Sequence, residues 1–165
     1  MENNLPKKTL TDKIKAYAFF IILSEAVGIL SGLLTRGGIA AYESVEKSAL
    51  TPPPIVFPIV WTVLFALIGI GAAKIWLSPK SDDRTRALGV YAAQLIVNFF
   101  WSIFFFNGQA YGFSFLWLIL LWLLILGMIL LYRKINTDAA LLQIPYLIWV
   151  TFAGYLNYVV WQLNK

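Results

Sequence analysis

From Ala87 to Tyr132 the chain carries no charged residue over 46 consecutive positions. As one helix that run would be roughly 69 Å long, about twice the hydrocarbon thickness of a bilayer. It has to fold back, and Asn107-Gly108-Gln109-Ala110-Tyr111-Gly112 has the turn composition to allow it. The run therefore reads as two membrane spans, 87–106 and 112–132. Three more segments share its character: 14–34, interrupted from Ala16 onward only by Glu25; 55–77, uncharged from Ile55 to Ala73; and 139–163. Only 13% of residues are charged, about half the share in soluble domains, too few to cover a water-facing surface. The expected fold class is all-α: a polytopic membrane protein, a five-transmembrane-helix bundle forming a single membrane domain over 1–165.

The first span follows a basic stretch (Lys7, Lys8, Lys13, Lys15), as a secretory signal would. Its apolar stretch is longer than a signal's, and no A-x-A-like site follows that stretch before Arg36, so a retained helix is expected. With five spans, the N-terminal segment, the 74–86 connection and the Arg133-Lys134 connection share one side. Ten of the thirteen Lys and Arg lie there. The positive-inside rule then makes the N-terminus cytoplasmic and the C-terminus external, in what reads as a bacterial cell membrane. The net charge of +5 needs no nucleic-acid partner, because this asymmetry accounts for it.

The chain has no Cys and no His. That excludes disulfides, thiolate chemistry, a Ser-His-Asp triad, an HExxH zinc site and a His-ligated haem. What the spans do carry is aromatic and amide side chains. Phe57, Trp61, Phe65, Ile68 and Ala72 fall on one face of the second span, and Tyr146, Trp149, Ala153 and Asn157 on one face of the fifth. Gln94, Asn98 and Ser102 make a polar stripe on the third, with Trp101 beside it. In lipid such a stripe turns inward, as interhelical glue or as ligand contacts. Two aromatic faces and an amide stripe suit a flat, apolar ligand with a few polar handles. Trp76, Tyr111, Tyr132 and Trp161 fall near span ends, where interfacial aromatics belong.

The connection 35–54 is long enough to act as a lid. It ends in Thr51-Pro52-Pro53-Pro54, a stiff, extended entry to the second span. Glu25, an acid inside a span, is expected to be protonated and hydrogen-bonded within the bundle. Ser24, Gly28 and Gly32 follow a small-xxx-small spacing that admits a neighbouring helix.

Three motifs in order give these features a family likeness. Tyr42–Lys47 with Thr51-Pro52-Pro53…Phe57-Pro58-Ile59-Val60-Trp61, then Gln94-Leu95…Asn98…Trp101, then Pro145-Tyr146-Leu147-Ile148-Trp149…Leu156-Asn157 together resemble the TspO/MBR family. The likeness covers nearly the whole chain. Two departures lie in the lid: Ala41 stands where an aromatic is frequent, and Lys47-Ser48-Ala49-Leu50 replaces the K-P-x-W pattern, so less aromatic surface is expected there. The resemblance implies a five-helix bundle that often forms homodimers. It also implies porphyrin and other apolar small-molecule ligands beneath the first loop, bound as ligands and not as a tightly held cofactor. Carried over by motif, the pocket residues are Tyr42, Pro52, Pro53, Trp61, Asn98, Trp101, Tyr146, Trp149 and Asn157. Phe57, Gln94 and Ala153 join them from the helical faces. The family's sterol association transfers poorly: a motif of the L/V-x-Y-x-K/R type needs a basic residue within five positions of Tyr158, and Val159-Val160-Trp161-Gln162-Leu163 supplies none. The function expected first is a membrane receptor or carrier for porphyrin-like tetrapyrroles with a transport or stress-sensing role. The rivals are a light-dependent porphyrin-degrading enzyme using the same tryptophans, and a membrane scaffold with a vestigial pocket.

Overall fold

The computed structural model describes residues 9–165. Lys7 and Lys8 of the basic N-terminal stretch lie outside them. Among the described residues the fold is all helical: α1 (Leu10–Leu34), α2 (Arg36–Tyr42), α3 (Val56–Leu77), α4 (Asp82–Ser102), α5 (Tyr111–Ile135), α6 (Thr137–Leu141) and α7 (Ile144–Leu163). Five stretches are long and apolar enough to cross a membrane: α1, α3, α4 with its extension to Asn107, α5, and α6 with α7. The five expected spans are all present, each within a few residues of its expected limits.

Local chemistry sets the ends. Thr9 and Asp12 close a capping box on α1, and Ser81 accepts from the Arg84 N–H to start α4. Asn136 ends α5 and caps α6 through Ala139. Pro145 sits at the start of α7, where its missing N–H costs little. The long uncharged run turns back at 107–110 as expected, with Gln109 at φ 47°.

Two elements were not anticipated. The lid connection contains a helix, α2, and α4 ends in a π-helical turn at Ile103–Asn107. The proline stretch is extended only briefly, since a turn closes from Pro53 to Val56.

The spans form a closed ring in the order α1, α3, α7, α5, α4. The α1–α3 seam is closely packed. A Cβ at Gly69 would lie 2.6 Å from Ile21 Cα, and one at Gly28 would strike the Phe65 ring. Ser24, buried, shares a 2.9 Å hydrogen bond with the Tyr91 hydroxyl of α4. The small-residue stripe of α1 thus packs at Ser24 and Gly28 but not at Gly32, around which a Cβ would meet nothing within 4 Å. Gly32 is exposed while Ser31 and Thr35 at the same level are buried, and the closest backbone approach comes from Gly69 on the facing helix. Glu25 also departs from expectation. It is half-buried and makes no hydrogen bond among the described residues, because α1 is the least enclosed span. Ile22, Ile29 and Leu33 of α1, Ile59 and Val63 of α3, and Leu116 and Leu123 of α5 face outward, as lipid contact requires.

Candidate ligand site

The inner faces of α3, α4 and α7 meet at Tyr146, which is fully buried. Its hydroxyl accepts from Asn98 Nδ2 at 2.7 Å and donates to Gln94 Oε1 at 2.9 Å. Gln94 and Asn98 stand one turn apart on α4, so a single phenol from α7 spans both. The polar stripe is therefore interhelical glue, and its third member, Ser102, is half-buried without a side-chain hydrogen bond among the described residues. Trp61 meets Tyr146 edge-on, ring centres 6.2 Å apart, and tilts over Phe65 at 5.6 Å. Phe57 packs against Trp149 at 5.9 Å, and Trp149 against Phe152 at 5.7 Å. Trp61, Gln94, Asn98 and Tyr146 are thus joined in one cluster, with the Phe57–Trp149 pair on the same helix faces of α3 and α7.

A second cluster sits toward the lid. Trp101 stacks on Phe105 at 5.2 Å and donates through Nε1 to Asn157 Oδ1 at 3.2 Å. Asn157 in turn donates to the Tyr111 carbonyl at 2.8 Å, tying α4, α5 and α7 together. Ala153, buried, lies one turn below Asn157 on the same face of α7. The π turn adds a residue to the helical repeat and so changes which side chains share a face. Adjacent Phe105 and Phe106 both reach Tyr42 of the lid, at 5.3 and 5.5 Å. The Lys47 ammonium covers the Tyr42 ring at 4.8 Å. Burial, with Tyr111 adding to it, pushes the Tyr42 phenol from 10.0 up to about 12. Its raised pKa favours the docked, neutral phenol, so that contribution is complete below about pH 10 and is lost as pH rises through about 12.

Hydrogen bonds fasten the lid at Glu46 and Ser48, and the end of α1 that leads into it at Leu34. Asn164 accepts from the Glu46 N–H at 3.2 Å and donates to the Glu46 carbonyl at 2.9 Å, treating one loop residue as a paired strand would. Ser48 and the Tyr155 hydroxyl lie 3.3 Å apart, and Asn107 Nδ2 donates to the Leu34 carbonyl at 3.0 Å. Pro52 is half-buried, whereas Pro53 is exposed on the outside of the loop. Ala41, Ala49 and Leu50 are exposed too, so the lid carries little aromatic packing beyond Tyr42. Sequence reading missed Phe106, Tyr111 and Asn164. Their partners lie on other elements, and no local spacing marks them.

The cluster is closed ring on ring. Two open grooves lie away from it: one of about 330 Å³ between the outer faces of α5 and α7, near Trp122 and Tyr158, and one of about 550 Å³ at the far end of α1 and α3. Inside the closed cluster two N–H donors, Gln94 Nε2 and Trp149 Nε1, are buried without a hydrogen-bond partner among the described residues. A buried donor left unmade costs about 1–3 kcal/mol, and such atoms commonly mark water or ligand positions. Among the described residues no group of His, Cys, Asp and Glu is arranged to hold a metal ion.

Comparison with known proteins gives one consistent result. The model of the TspO/MBR family matches residues 20–162. The translocator protein of Bos taurus is 34% identical over 149 residues, 88% of each chain. The tryptophan-rich protein TspO of Chlorobaculum tepidum is 34% identical over 160 residues, 94% of this chain and 99% of its own. Protein CrtK of Rhodobacter capsulatus is 32% identical over 149 residues, 90% and 92% of the two chains.

Proposed function

The chain belongs to the TspO/MBR family, and from that premise we propose that it is a membrane receptor taking a flat, apolar, tetrapyrrole-like ligand beneath its first loop. The observation that carries this reading is the pair of unpartnered donors, Gln94 Nε2 and Trp149 Nε1, within an aromatic cluster. Packing alone has no use for them. A ligand with a large π-face and acceptor groups, such as the carboxylates or ring nitrogens of a porphyrin, satisfies both. Trp61 and Trp149 supply the stacking surfaces, Asn98 and Tyr146 hold Gln94 in place, and the fastened lid closes the site from water. Because the rings now pack on one another, entry requires Trp61 or Trp149 to swing aside with the lid released.

The test is fluorescence titration of the purified protein with a small panel of tetrapyrroles, in darkness and under illumination. Saturable binding in the dark with no light-dependent loss of the porphyrin spectrum is expected. Breakdown confined to the bound porphyrin would make the protein an enzyme. Absence of saturable binding leaves a scaffold and overturns the receptor reading.

The same reading places the N-terminus and the 78–86 loop in the cytoplasm, on the charge asymmetry. Ser44 and Ser81 are both exposed, and the chain has no cysteine, so single cysteines at either give a clean report. An impermeant thiol reagent on intact cells is expected to label Ser44→Cys and spare Ser81→Cys. The opposite pattern means the bundle is inverted.

A further inference from the structure

At the end of the bundle opposite the lid, the 550 Å³ groove opens between the first turns of α1 and the last turn of α3. Its walls are apolar and aromatic: Ala16, Phe19, Phe20 and Trp76, with the Phe20 and Trp76 rings 5.9 Å apart. Its rim is charged. Lys15 lines it directly, and the Arg84 guanidinium lies over the Trp76 ring at 4.9 Å, pinned by one hydrogen bond from Nη1 to the Ser78 carbonyl at 3.1 Å. A guanidinium has five N–H donors, so most of its capacity is unspent. Among the described residues neither Lys15 nor Arg84 forms an ion pair, whereas Lys74 at the same end is matched by Asp138 at 3.3 Å. Asp12 also borders the groove, but its carboxylate is engaged in capping α1, accepting from the Thr9 N–H and hydroxyl at 3.0 and 2.7 Å.

Two cations without a carboxylate partner, at the mouth of an apolar cleft between two spans, make a site for a molecule that is anionic at one end and hydrocarbon at the other. We propose that this groove binds an anionic phospholipid, with its phosphate taken by Lys15 and Arg84 and an acyl chain lying against Phe19, Phe20 and Trp76. The Trp76 ring keeps the Arg84 guanidinium at the end of the span, and the exposed Phe19 and Ile22 continue from the cleft along the outer face of α1. A soluble anion uses only the rim and leaves the apolar walls bare, so the headgroup belongs to a lipid.

The experiment is native mass spectrometry of the purified full chain released from detergent, with phosphatidylglycerol or phosphatidylcholine added. One phosphatidylglycerol is expected to remain bound to the wild type and phosphatidylcholine to be lost. The double variant Lys15→Gln/Arg84→Gln is expected to hold phosphatidylglycerol roughly tenfold more weakly. Lys80→Gln/Arg86→Gln removes equal charge from exposed positions at the same end and is expected to behave as wild type. Melting curves in phosphatidylcholine confirm that both variants are folded. Equal weakening in the two double variants would reduce the effect to diffuse charge. Equal retention of phosphatidylcholine, or displacement of the lipid by excess inorganic phosphate, would overturn the site.

Discussion

Replacing Gly69 with valine is expected to lower the melting temperature of the detergent-solubilised protein on the order of 5–10 °C. The residue sits where α3 crosses α1, and its missing Cβ would fall 2.6 Å from Ile21 Cα and 2.7 Å from the Phe20 carbonyl. Both are main-chain atoms of a helix, so nothing rotates away, and relief comes only by prying the helices apart. Overfilling a packed core typically costs about 1–3 kcal/mol, and more when backbone has to move. Helices in lipid associate largely through such contact, since the surrounding acyl chains are as apolar as the side chains, so spreading the seam forfeits dispersion with no compensating burial. Gly28→Leu is expected to destabilise less, because the obstacle is the Phe65 ring, which has some freedom to shift. Gly32→Leu, with nothing nearby, is expected to melt as the wild type does. Thermal denaturation of the three proteins checks the order. A Gly69 variant as stable as the Gly32 one would mean that the seam does not hold the bundle together.

Trp61→Leu and Trp149→Leu are each expected to weaken tetrapyrrole binding by roughly tenfold or more. Leucine keeps the position apolar and removes the π-face, whose stacking is worth on the order of 0.5–1.5 kcal/mol beyond area burial. Trp149→Leu also deletes one of the two unpartnered donors, so its loss should be the larger for ligands bearing carboxylates. The control is Trp122→Leu. That indole lies in the outer α5–α7 groove and donates to Thr151 at 2.9 Å, away from the inner cluster. Fluorescence titration of the three variants, with melting curves to exclude misfolding, separates the possibilities. If Trp122→Leu costs as much affinity as the other two, the ligand occupies the outer groove and the inner cluster is only packing.

The five spans were legible because hydrocarbon imposes a length and excludes charge, and both are properties of a single stretch of sequence. The meeting of Gln94, Asn98, Trp61 and Tyr146 was legible for a related reason, since polar and aromatic positions at helical spacing must turn to a common interior. The rest depended on partners distant along the chain. Gly32 shares the spacing of Ser24 and Gly28, but steps of four drift around a helix of 3.6 residues per turn, and Gly32 is exposed while its neighbour Ser31 is buried. Gly69 sits in an ordinary apolar run, and only the docked α1 gives it meaning. The π turn at Ile103–Asn107 arises where three consecutive phenylalanines meet α5 and the lid, and nothing in the local composition distinguishes it from a regular turn. Asn164 reads as a polar helix end until Glu46, 118 positions away, is laid beside it.

The α1–α3 seam has a consequence for how the protein is made. Its two helices are consecutive membrane spans, so they meet as soon as the ribosome has delivered Leu77, before any later span exists. Chains generally fold from the N-terminus during synthesis, and inserted helices then associate in the membrane. The aromatic cluster cannot follow that schedule, because Tyr146 and Trp149 come from the last helix, which wedges between α3 and α5. The Glu46–Asn164 clasp comes later still. A nascent chain halted before Ile144 would hold a finished helical hairpin and a neighbouring pair, α4 with α5, but neither a site nor anything to fasten the loop above it. Quality control in the membrane therefore meets an unclosed ring until α7 has been inserted.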